Sequence, residues 1–395
     1  MRQTTPFLWE INETTEEEWE ELATATPERA APQPVRRHRM AWAILAVTLG
    51  LLTVVLGVRL WQEAEKGVAR VERDIGQVVQ LETVQGRLHD FSAIDAALVD
   101  TIELNFAGAM ARVVVTSTTP RGELVTYTET RFYRRQGAGW ERCAPIPSFW
   151  GKAATLDTAT LHFSYFVRDQ PFVEAHALAL DAYHQSLRTM LELPRLNGHS
   201  RITITIVPRT VPPLATGHDA PIIQSSPLLY RAAGTITGEV TAKEILQLLL
   251  LRRTLDEAAA TDLIPPPWAP TIDRLRLWSI DRAGSLPIPG AGAALAPQPR
   301  PGASYSLASL QTGEVADSAR GYTGYRTAIL DAATYAFFDF TVSRAGIEGT
   351  PALLAAFSRS EDWQQAATLA LGLSEEEVEA ACRIYLRAPS SVFHE

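Results

Sequence analysis

The sequence predicts an α+β protein that is anchored to a membrane by one helix near its N-terminus. Residues 40–58 form an apolar run without a charge, residues 62–157 contain a helix followed by strand segments, and residues 158–390 are mostly helical with a small sheet. A helix followed by a meander of strands favours α+β over alternating α/β architecture. We therefore divide the chain into a tail (1–39), a transmembrane helix (40–60) and two outer domains (62–157 and 158–390).

The apolar run has the properties of a membrane-spanning helix. About 20 apolar residues cross the hydrocarbon core of a bilayer, and Trp42 and Trp61 lie near the two ends, where aromatic rings prefer the headgroup region. A buried core helix is the alternative, but helices of globular proteins rarely run this long without a polar face. A cleaved signal peptide would have a shorter apolar region, a basic leader and a small-residue cleavage site. The lipid bilayer is therefore a predicted partner.

Charges beside the run predict its orientation. Arg36, Arg37 and Arg39 precede it, whereas the other flank mixes acidic and basic side chains. Because arginine and lysine are retained on the cytoplasmic side, we expect a single-pass cell-membrane protein with a cytoplasmic N-terminus and extracytoplasmic domains. Residues 13–22 of the tail are acidic. This segment is either a solvated, disordered part of the tail or a docking peptide for a cytoplasmic partner.

The composition of the chain argues against one class of function, nucleic-acid binding. The chain of 395 residues is 46% hydrophobic and 21% charged, which is typical of globular proteins, and its net charge is −9. An acidic chain without a basic stripe argues against nucleic acid as a partner. The two cysteines, Cys143 and Cys382, either pair in an oxidising compartment or remain free thiols, and both interpretations stay open.

The first outer domain is predicted to be a helix followed by antiparallel strands. The expected elements are a helix over 63–88 and strands over 101–106, 111–118, 123–135 and 140–143. The segment TETRFYRRQGAGWERCAPIPSFWG resembles the final hairpin of SnoaL-like, nuclear-transport-factor-like domains, which wrap a curved sheet around a helix in a cone. Some members of that family hold catalytic Asp/His pairs. Here His89 and Asp90 are adjacent but fall in a predicted loop, so we assign them no catalytic role.

The second outer domain is predicted to combine a small sheet with many helices. Strands are expected over 160–166 and 201–207, and helices over 171–193, 240–260, 327–344, 351–357, 361–371 and 375–387, the last three begun by caps at Thr350, Ser360 and Ser374. Helix 240–260 is apolar almost all round and should therefore be buried. A loop rich in proline and glycine is expected over 287–301.

The order of these segments resembles a gluzincin-type (MA-like) metallopeptidase domain. The resemblance is carried by LHFSYFVRDQ, ALDAYHQSLRTMLELP and RITITIVP, and by the C-terminal stretch from AATYAFFDF to CRIYL. In that family, two histidines of an HExxH motif share one helix face and bind zinc, and the intervening glutamate activates a bound water. The matching positions here are Lys243, Glu244 and Gln247, so that only the glutamate is kept.

The family's third zinc ligand is a glutamate that follows a P-x-W turn. The turn is present as Pro266-Pro267-Trp268, but Thr271 stands where the ligand is expected and Asp273 is poorly spaced. An ammonium group cannot bind zinc and would repel it. The resemblance therefore implies a domain that holds no metal or other cofactor and has no catalytic residue.

Other catalytic classes find no support in the sequence. The histidines of the second outer domain form no HxxxH pair; they are His162, His176, His184, His199 and His218. No GxSxG elbow, Walker-type loop or Cys/His dyad spacing occurs. The Gly/Tyr turn at residues 321–325 is interpreted as the entry to a helix rather than a ligand site.

These observations predict a pseudopeptidase, anchored in a bacterial-type membrane, that binds or scaffolds a protein or peptide outside the cytoplasm. One alternative is an active hydrolase with an unrecognised site, which chelator-sensitive peptidase activity would reveal. The other is a transmembrane regulator, which partner capture by residues 1–39 would reveal. For Lys243 and Glu244, a second interpretation is that they simply face solvent at the start of their helix.

Overall fold

The computed structural model describes residues 36–89, 94–118, 124–196, 200–209, 211, 222–261, 263–286 and 323–387. The chain forms two compact units, residues 1–69 and residues 70–395. Several predictions fall outside the described residues: the acidic segment 13–22, the loop over 287–301, Asp90, His199 and His218.

The apolar run belongs to one long helix, α1 (Arg36–His89). From Trp42 to Gln85 this helix is long and apolar enough to cross a membrane, and its most apolar stretch has a mean hydropathy of 2.3 with no buried residue. A membrane anchor is compatible with this. The helix predicted over 63–88 is present, but it continues the apolar helix without a break.

The two threonines in the apolar part of α1 are satisfied within the helix. The hydroxyl of Thr48 donates to the carbonyl of Ile44 at 2.9 Å, and that of Thr53 donates to the carbonyl of Leu49 at 3.0 Å. In hydrocarbon an unsatisfied polar group is costly. These bonds therefore make both threonines acceptable in a lipid-facing segment.

An antiparallel sheet follows α1. Its strands lie in the order β1 (Ile94–Asn105), β2 (Gly108–Thr118), β3 (Leu124–Gln136) and β4 (Gly139–Cys143). The predicted strands are confirmed, although β1 begins earlier than expected. The C-terminal part of α1 packs on this sheet, because Ile75 and Val79 are fully buried in one cluster with Val113, Val115 and Tyr133.

A second, mixed sheet lies further along the chain. Its strands are β5 (Ala153–Asp157), β6 (Leu161–Phe166), β7 (Ile202–Val207) and β8 (Ile222–Ser225), in that spatial order. β5 runs antiparallel to β6, whereas β6, β7 and β8 are parallel. Helix α2 (Gln170–Met190) connects β6 to β7. A short strand, β9 (Ala232–Ala233), pairs with β3 of the first sheet.

The remaining described chain is helical. The helices are α3 (Gly238–Ala260), α4 (Ala269–Ser285), α5 (Thr323–Ala345), α6 (Thr350–Arg359), α7 (Trp363–Leu371) and α8 (Glu375–Arg387). Their centre is aromatic: Trp268 stacks on Phe357 with ring centroids 4.5 Å apart, and Trp363 meets Phe337 edge-on at 4.6 Å. The predicted burial of helix 240–260 is confirmed, since Ile245, Leu246 and the leucines after them are buried.

Three details of these helices correct the sequence predictions. Helix α4 was not predicted at all. Thr350 is the first residue of α6 rather than its cap. Asp362, not Ser360, caps α7, since its carboxylate accepts from the Gln365 N–H at 2.9 Å. The capping box of Ser374 and Glu377 is confirmed, with reciprocal bonds of 2.7 and 3.3 Å.

Candidate functional site

Helix α3 carries the three motif residues, and its first turn is well capped. The Thr237 hydroxyl accepts from the Val240 N–H at 3.2 Å, which satisfies one of the free amide groups of the first turn. The side chains of Lys243 and Glu244 are only 28% and 24% exposed. The interpretation that they simply face solvent is therefore wrong, and each has a partner.

Lys243 and Gln247 converge on one carboxylate. Lys243 Nζ donates to Glu348 Oε1 at 2.8 Å, and Gln247 Nε2 donates to the same oxygen at 3.1 Å. Gln247 is buried, and a buried amide without a partner is destabilising. Lys243 and Gln247 thus bind Glu348 together; we call Lys243, Gln247 and Glu348 the α3 clamp.

The chain positions Glu348 through a tight turn. Glu348 lies in a short 3-10 helix, Ile347–Gly349, between α5 and α6. Gly346 precedes it with φ 68°, a left-handed conformation that glycine adopts without strain. A Cβ atom at Gly346 would come within 2.8 Å of Glu348 Oε2. Glycine at this position therefore leaves room for the carboxylate that the clamp binds.

Glu244 belongs to a second group of charges. Its Oε1 lies 3.6 Å from Arg282 Nη2 on α4, and Arg282 Nη1 lies 4.0 Å from Asp339 Oδ1 on α5. The Trp278 indole donates to Asp339 at 3.0 Å. Lys243 and Glu244, although adjacent in the sequence, therefore pair with residues of different elements.

The electrostatics of the clamp favour its ionised form. Burial opposes ionisation of Glu348, but the hydrogen bonds from Lys243 and Gln247 and the lysine charge hold its pKa below the usual range. Burial together with the Lys243 charge lowers the pKa of His176 on α2. Burial raises the pKa of Tyr183, whose hydroxyl lies 3.4 Å from the Thr350 hydroxyl. The charge of Lys243 thus acts on both Glu348 and His176.

The residues near the expected third ligand position do not provide a ligand set. Thr271 is buried, and its hydroxyl has no hydrogen-bond partner within the described part of the chain. Asp273 is paired with Arg276 at 2.9 Å. Among the described residues, no group of three His, Cys, Asp or Glu side chains is placed to hold a metal ion. The sequence analysis did not identify Glu348, whose carboxylate accepts hydrogen bonds from Lys243 and Gln247.

The described histidines are separated. His162 lies on β6, where its Nδ1 is 2.5 Å from Asp157 Oδ1, while His176 lies partly buried on α2. His184 is fully buried on the same helix. His89 is the last residue of α1. The structure therefore gives no support to a joint site made from these residues.

His184 takes part in a buried polar network that the sequence did not reveal. Asp181 Oδ1 accepts from the Thr160 hydroxyl at 2.7 Å, so this hydroxyl accepts in turn from His184 Nδ1 at 2.8 Å. His184 Nε2 is buried without a partner among the described residues. Burial and the charge of Arg188 lower the pKa of His184 to about 4, so its ring is neutral at pH 7.

A second buried network joins α1 to the first sheet. Arg131 on β3 donates to Glu129 Oε1 at 2.5 Å and to Glu82 Oε2 at 3.0 Å. Arg231 reaches Glu129 Oε2 at 3.2 Å, with its guanidinium 4.7 Å from the centre of the Tyr127 ring. Buried charges require partners. The contact of Arg231 with Glu129 therefore helps to hold the segment containing β9 against β3.

The two cysteines lie on different elements, β4 and α8. Cys143, at the end of β4, is a partly exposed free thiol, and burial raises its pKa. Cys382 lies on α8, and its side chain is outside the described residues. Likewise, Arg36, Arg37 and Arg39 lie in the first turns of α1, but their side chains are not described.

Comparison of the chain with protein-family models, with curated proteins and with solved structures finds no match. The fold defines an α+β protein, and within its described residues one helix is long and apolar enough to cross a membrane. The α3 clamp lies on a helix whose residues from Ile245 to Leu251 are buried.

Proposed function

We propose that this chain is a membrane-anchored pseudopeptidase: a single-pass protein whose residues 158–390 form a degenerate gluzincin-like domain with a non-catalytic binding or scaffolding role. The observation that carries the proposal is the α3 clamp. The side chains at the two histidine positions of the motif, Lys243 and Gln247, are both engaged by Glu348. The expected ligand is a protein or peptide.

The chemistry of the clamp supports a non-catalytic role. A zinc ion would need deprotonated ligands on this face of the helix, and Lys243 instead contributes an ammonium group. Its positive charge takes the place that a metal cation would have beside Glu348. Glu244, which would activate a metal-bound water, is near Arg282 instead. On this proposal, no zinc-bound water forms at the clamp, and Glu244 has no such water to activate.

The architecture gives further support. A mixed sheet followed by a long buried helix, α3, and then by a set of helices has the element order expected for a gluzincin-like domain. The antiparallel sheet that packs on α1 has the helix-and-sheet arrangement expected for a SnoaL-like cone. Neither domain is assigned a cofactor in this proposal.

The proposal is tested by rebuilding the metal site. Lys243→His combined with Gln247→His places two imidazoles on the α3 face, directed at Glu348, which supplies a third ligand. We expect this double variant to bind one equivalent of zinc, and the added change Glu348→Ala to abolish that binding. A double variant that gains no zinc affinity, measured by calorimetry, would remove the main support for the gluzincin-like interpretation.

We also propose that the N-terminus is cytoplasmic and that the domains are extracytoplasmic, in a cell membrane. Arg36, Arg37 and Arg39 support this, because basic residues beside a span are retained inside. Reporter fusions after residue 39 and after residue 395 test it. Activity of a cytoplasmic reporter at the C-terminal fusion point would contradict the orientation.

A further inference from the structure

Strand β1 lies at one end of the antiparallel sheet. It pairs with β2 along its length, and among the described residues no other strand pairs with it. The backbone N–H and C=O groups on the outer side of such a strand can pair with a further chain. β1 has 12 residues, whereas β4, at the other end of the strand order, has 5. We call the outer side of β1 the open edge; it is the longer template for an added strand.

The hydrophobic core beneath the sheet is not closed at the open edge. Ile94, Val99 and Ile102 of β1 pack against the cluster that contains Ile75 and Val79, but these three side chains are only partly buried. Burial of their remaining apolar surface would be favourable. A strand added beside β1 would continue this face of the sheet if its own side chains on the α1 side were apolar.

The more exposed side chains of β1 include an accessible carboxylate. Leu98 is 66% exposed. Asp100 falls at an irregularity in the pairing with β2, and its half-exposed carboxylate lies 3.7 Å from Arg112 Nε. Within the described part of the chain, this carboxylate accepts no hydrogen bond. A cation on a neighbouring strand could therefore reach it, and opposite charges on adjacent strands stabilise a sheet.

Charge indicates which kind of chain fits beside β1. Asp95, Asp100 and Glu103 lie on this strand, which contains no lysine or arginine. Arg168 balances Glu103, to which it donates at 2.5 and 2.8 Å, whereas Asp95 accepts from the neutral Thr118 hydroxyl at 2.6 Å. Two copies of β1 paired with each other would place all their acidic side chains along one shared edge, and like charges there are destabilising. A strand with basic side chains is the complementary occupant.

We propose that the open edge of β1 binds an extended segment of the protein or peptide ligand. The segment adds to the sheet as a further strand, with apolar side chains on the α1 side and basic side chains on the other. This inference rests on the binding role proposed above and assigns the ligand a conformation and a sequence pattern. Backbone pairing supplies affinity in such complexes, and the alternating side chains supply specificity. No residue of the α3 clamp takes part.

Two peptides of equal length and opposite charge test the sequence pattern. Acetyl-KVTVKVTVK-amide and acetyl-EVTVEVTVE-amide, each with a fluorescent label, are titrated with the full-length protein in phosphatidylcholine nanodiscs, which carry no net lipid charge. We expect saturable binding of the lysine peptide, measured by anisotropy, and about ten-fold weaker binding of the glutamate peptide. Empty nanodiscs are the control for lipid binding. No saturable binding of the lysine peptide up to about 1 mM would overturn the proposal.

Alternate N-methylation separates strand addition from simple charge attraction. Successive backbone N–H groups of a strand point to its two opposite edges, so methyl groups on every second nitrogen block one edge and leave the other intact. Of the two lysine peptides methylated in the two alternate sets, one should keep its affinity and the other should lose it. Hydrogen exchange should become slower in β1 and stay unchanged in β4. Equal affinities of the two methylated peptides would show that β1 does not pair with the ligand.

Variants of the open edge identify the carboxylate that the ligand meets. Asp100→Lys should weaken binding of the lysine peptide about ten-fold, whereas Glu376→Lys, the same change of charge at an exposed position of α8, should not. Arg112→Gln removes the cation beside Asp100 and should tighten binding about two-fold. An unchanged affinity in Asp100→Lys would contradict the proposal. The zinc titration of the rebuilt motif involves neither β1 nor this peptide, so the two proposals can fail separately.

Discussion

Asp169 is a buried carboxyl group whose pKa is raised to about 6, because burial outweighs the hydrogen bond from Ser226 and the charge of Arg168. The folded protein therefore binds this proton more tightly than the unfolded chain, in which aspartate titrates near 3.8. The resulting stabilisation is complete below pH 3.8 and is lost as the pH rises through 6. Asp169→Asn should thus raise the free energy of unfolding at pH 8 by about 2–3 kcal/mol, with little change at pH 4.

Urea unfolding of the full-length protein in nanodiscs, followed by tryptophan fluorescence, measures this difference. Asp181→Asn is the matched control. Hydrogen bonds from Thr158, Thr160 and Gln185 outweigh burial and lower the pKa of Asp181, so this variant should lose stability at pH 8. A gain of equal size at both pH values for Asp169→Asn would show that titration of the carboxyl group is not the cause.

His184 contributes the opposite pH dependence. Burial and the charge of Arg188 lower its pKa from 6.5 to about 4, so the unfolded chain binds this proton more tightly. The stabilisation is complete above pH 6.5 and is lost as the pH falls through 4. Between pH 7 and pH 4, the free energy of unfolding of His184→Asn should therefore fall by about 3 kcal/mol less than that of the wild type.

The exposed variant His162→Asn is the control for this second prediction, because its ring lies partly in solvent. Hydrogen exchange of α2 amides at pH 7 and pH 4 is the measurement. If wild type and His184→Asn lose protection equally on acidification, the neutral buried imidazole is not the origin of the acid sensitivity.

At the scale of elements, the α3 clamp joins α3 to the turn between α5 and α6. Glu348→Ala leaves the buried Gln247 amide without its acceptor, which should cost about 1–3 kcal/mol. Lys243→Ala removes an ion pair whose members are both partly exposed, and it should cost less than about 1 kcal/mol. A double-mutant cycle by urea unfolding tests this asymmetry. Equal losses would mean that the ion pair, not the buried amide, dominates the clamp.

Most helices and strands could be predicted because their apolar periodicity and their capping residues are set by residues close together in the sequence. The apolar face of α3 and the capping box at Ser374 depend only on neighbouring residues. Helix α4 was missed because it follows directly on the proline-rich segment at residues 265–267, which we interpreted as part of a P-x-W turn and not as the start of a helix. Glu348 was missed for a different reason: 101 residues separate it from Gln247, and no local pattern indicates such a contact.

At the scale of the whole molecule, the two predicted outer domains are connected more closely than the sequence suggested. Strand β9 comes from residues assigned to the second domain but pairs with β3, and Arg231 beside it binds Glu129. Residues 70–395 accordingly form one compact unit. The boundary near residue 157 remains a prediction, since a two-residue strand carries too little sequence pattern to reveal such pairing in advance.

The metal content of the native protein tests the central claim most directly. The full-length chain in nanodiscs, dialysed against metal-free buffer, is analysed for zinc and assayed for peptidase activity. If Lys243 supplies the positive charge beside Glu348, we expect far less than one zinc per chain and no peptidase activity. About one zinc per chain, removed by a chelator together with a peptidase activity, would contradict the non-catalytic proposal and favour an active hydrolase.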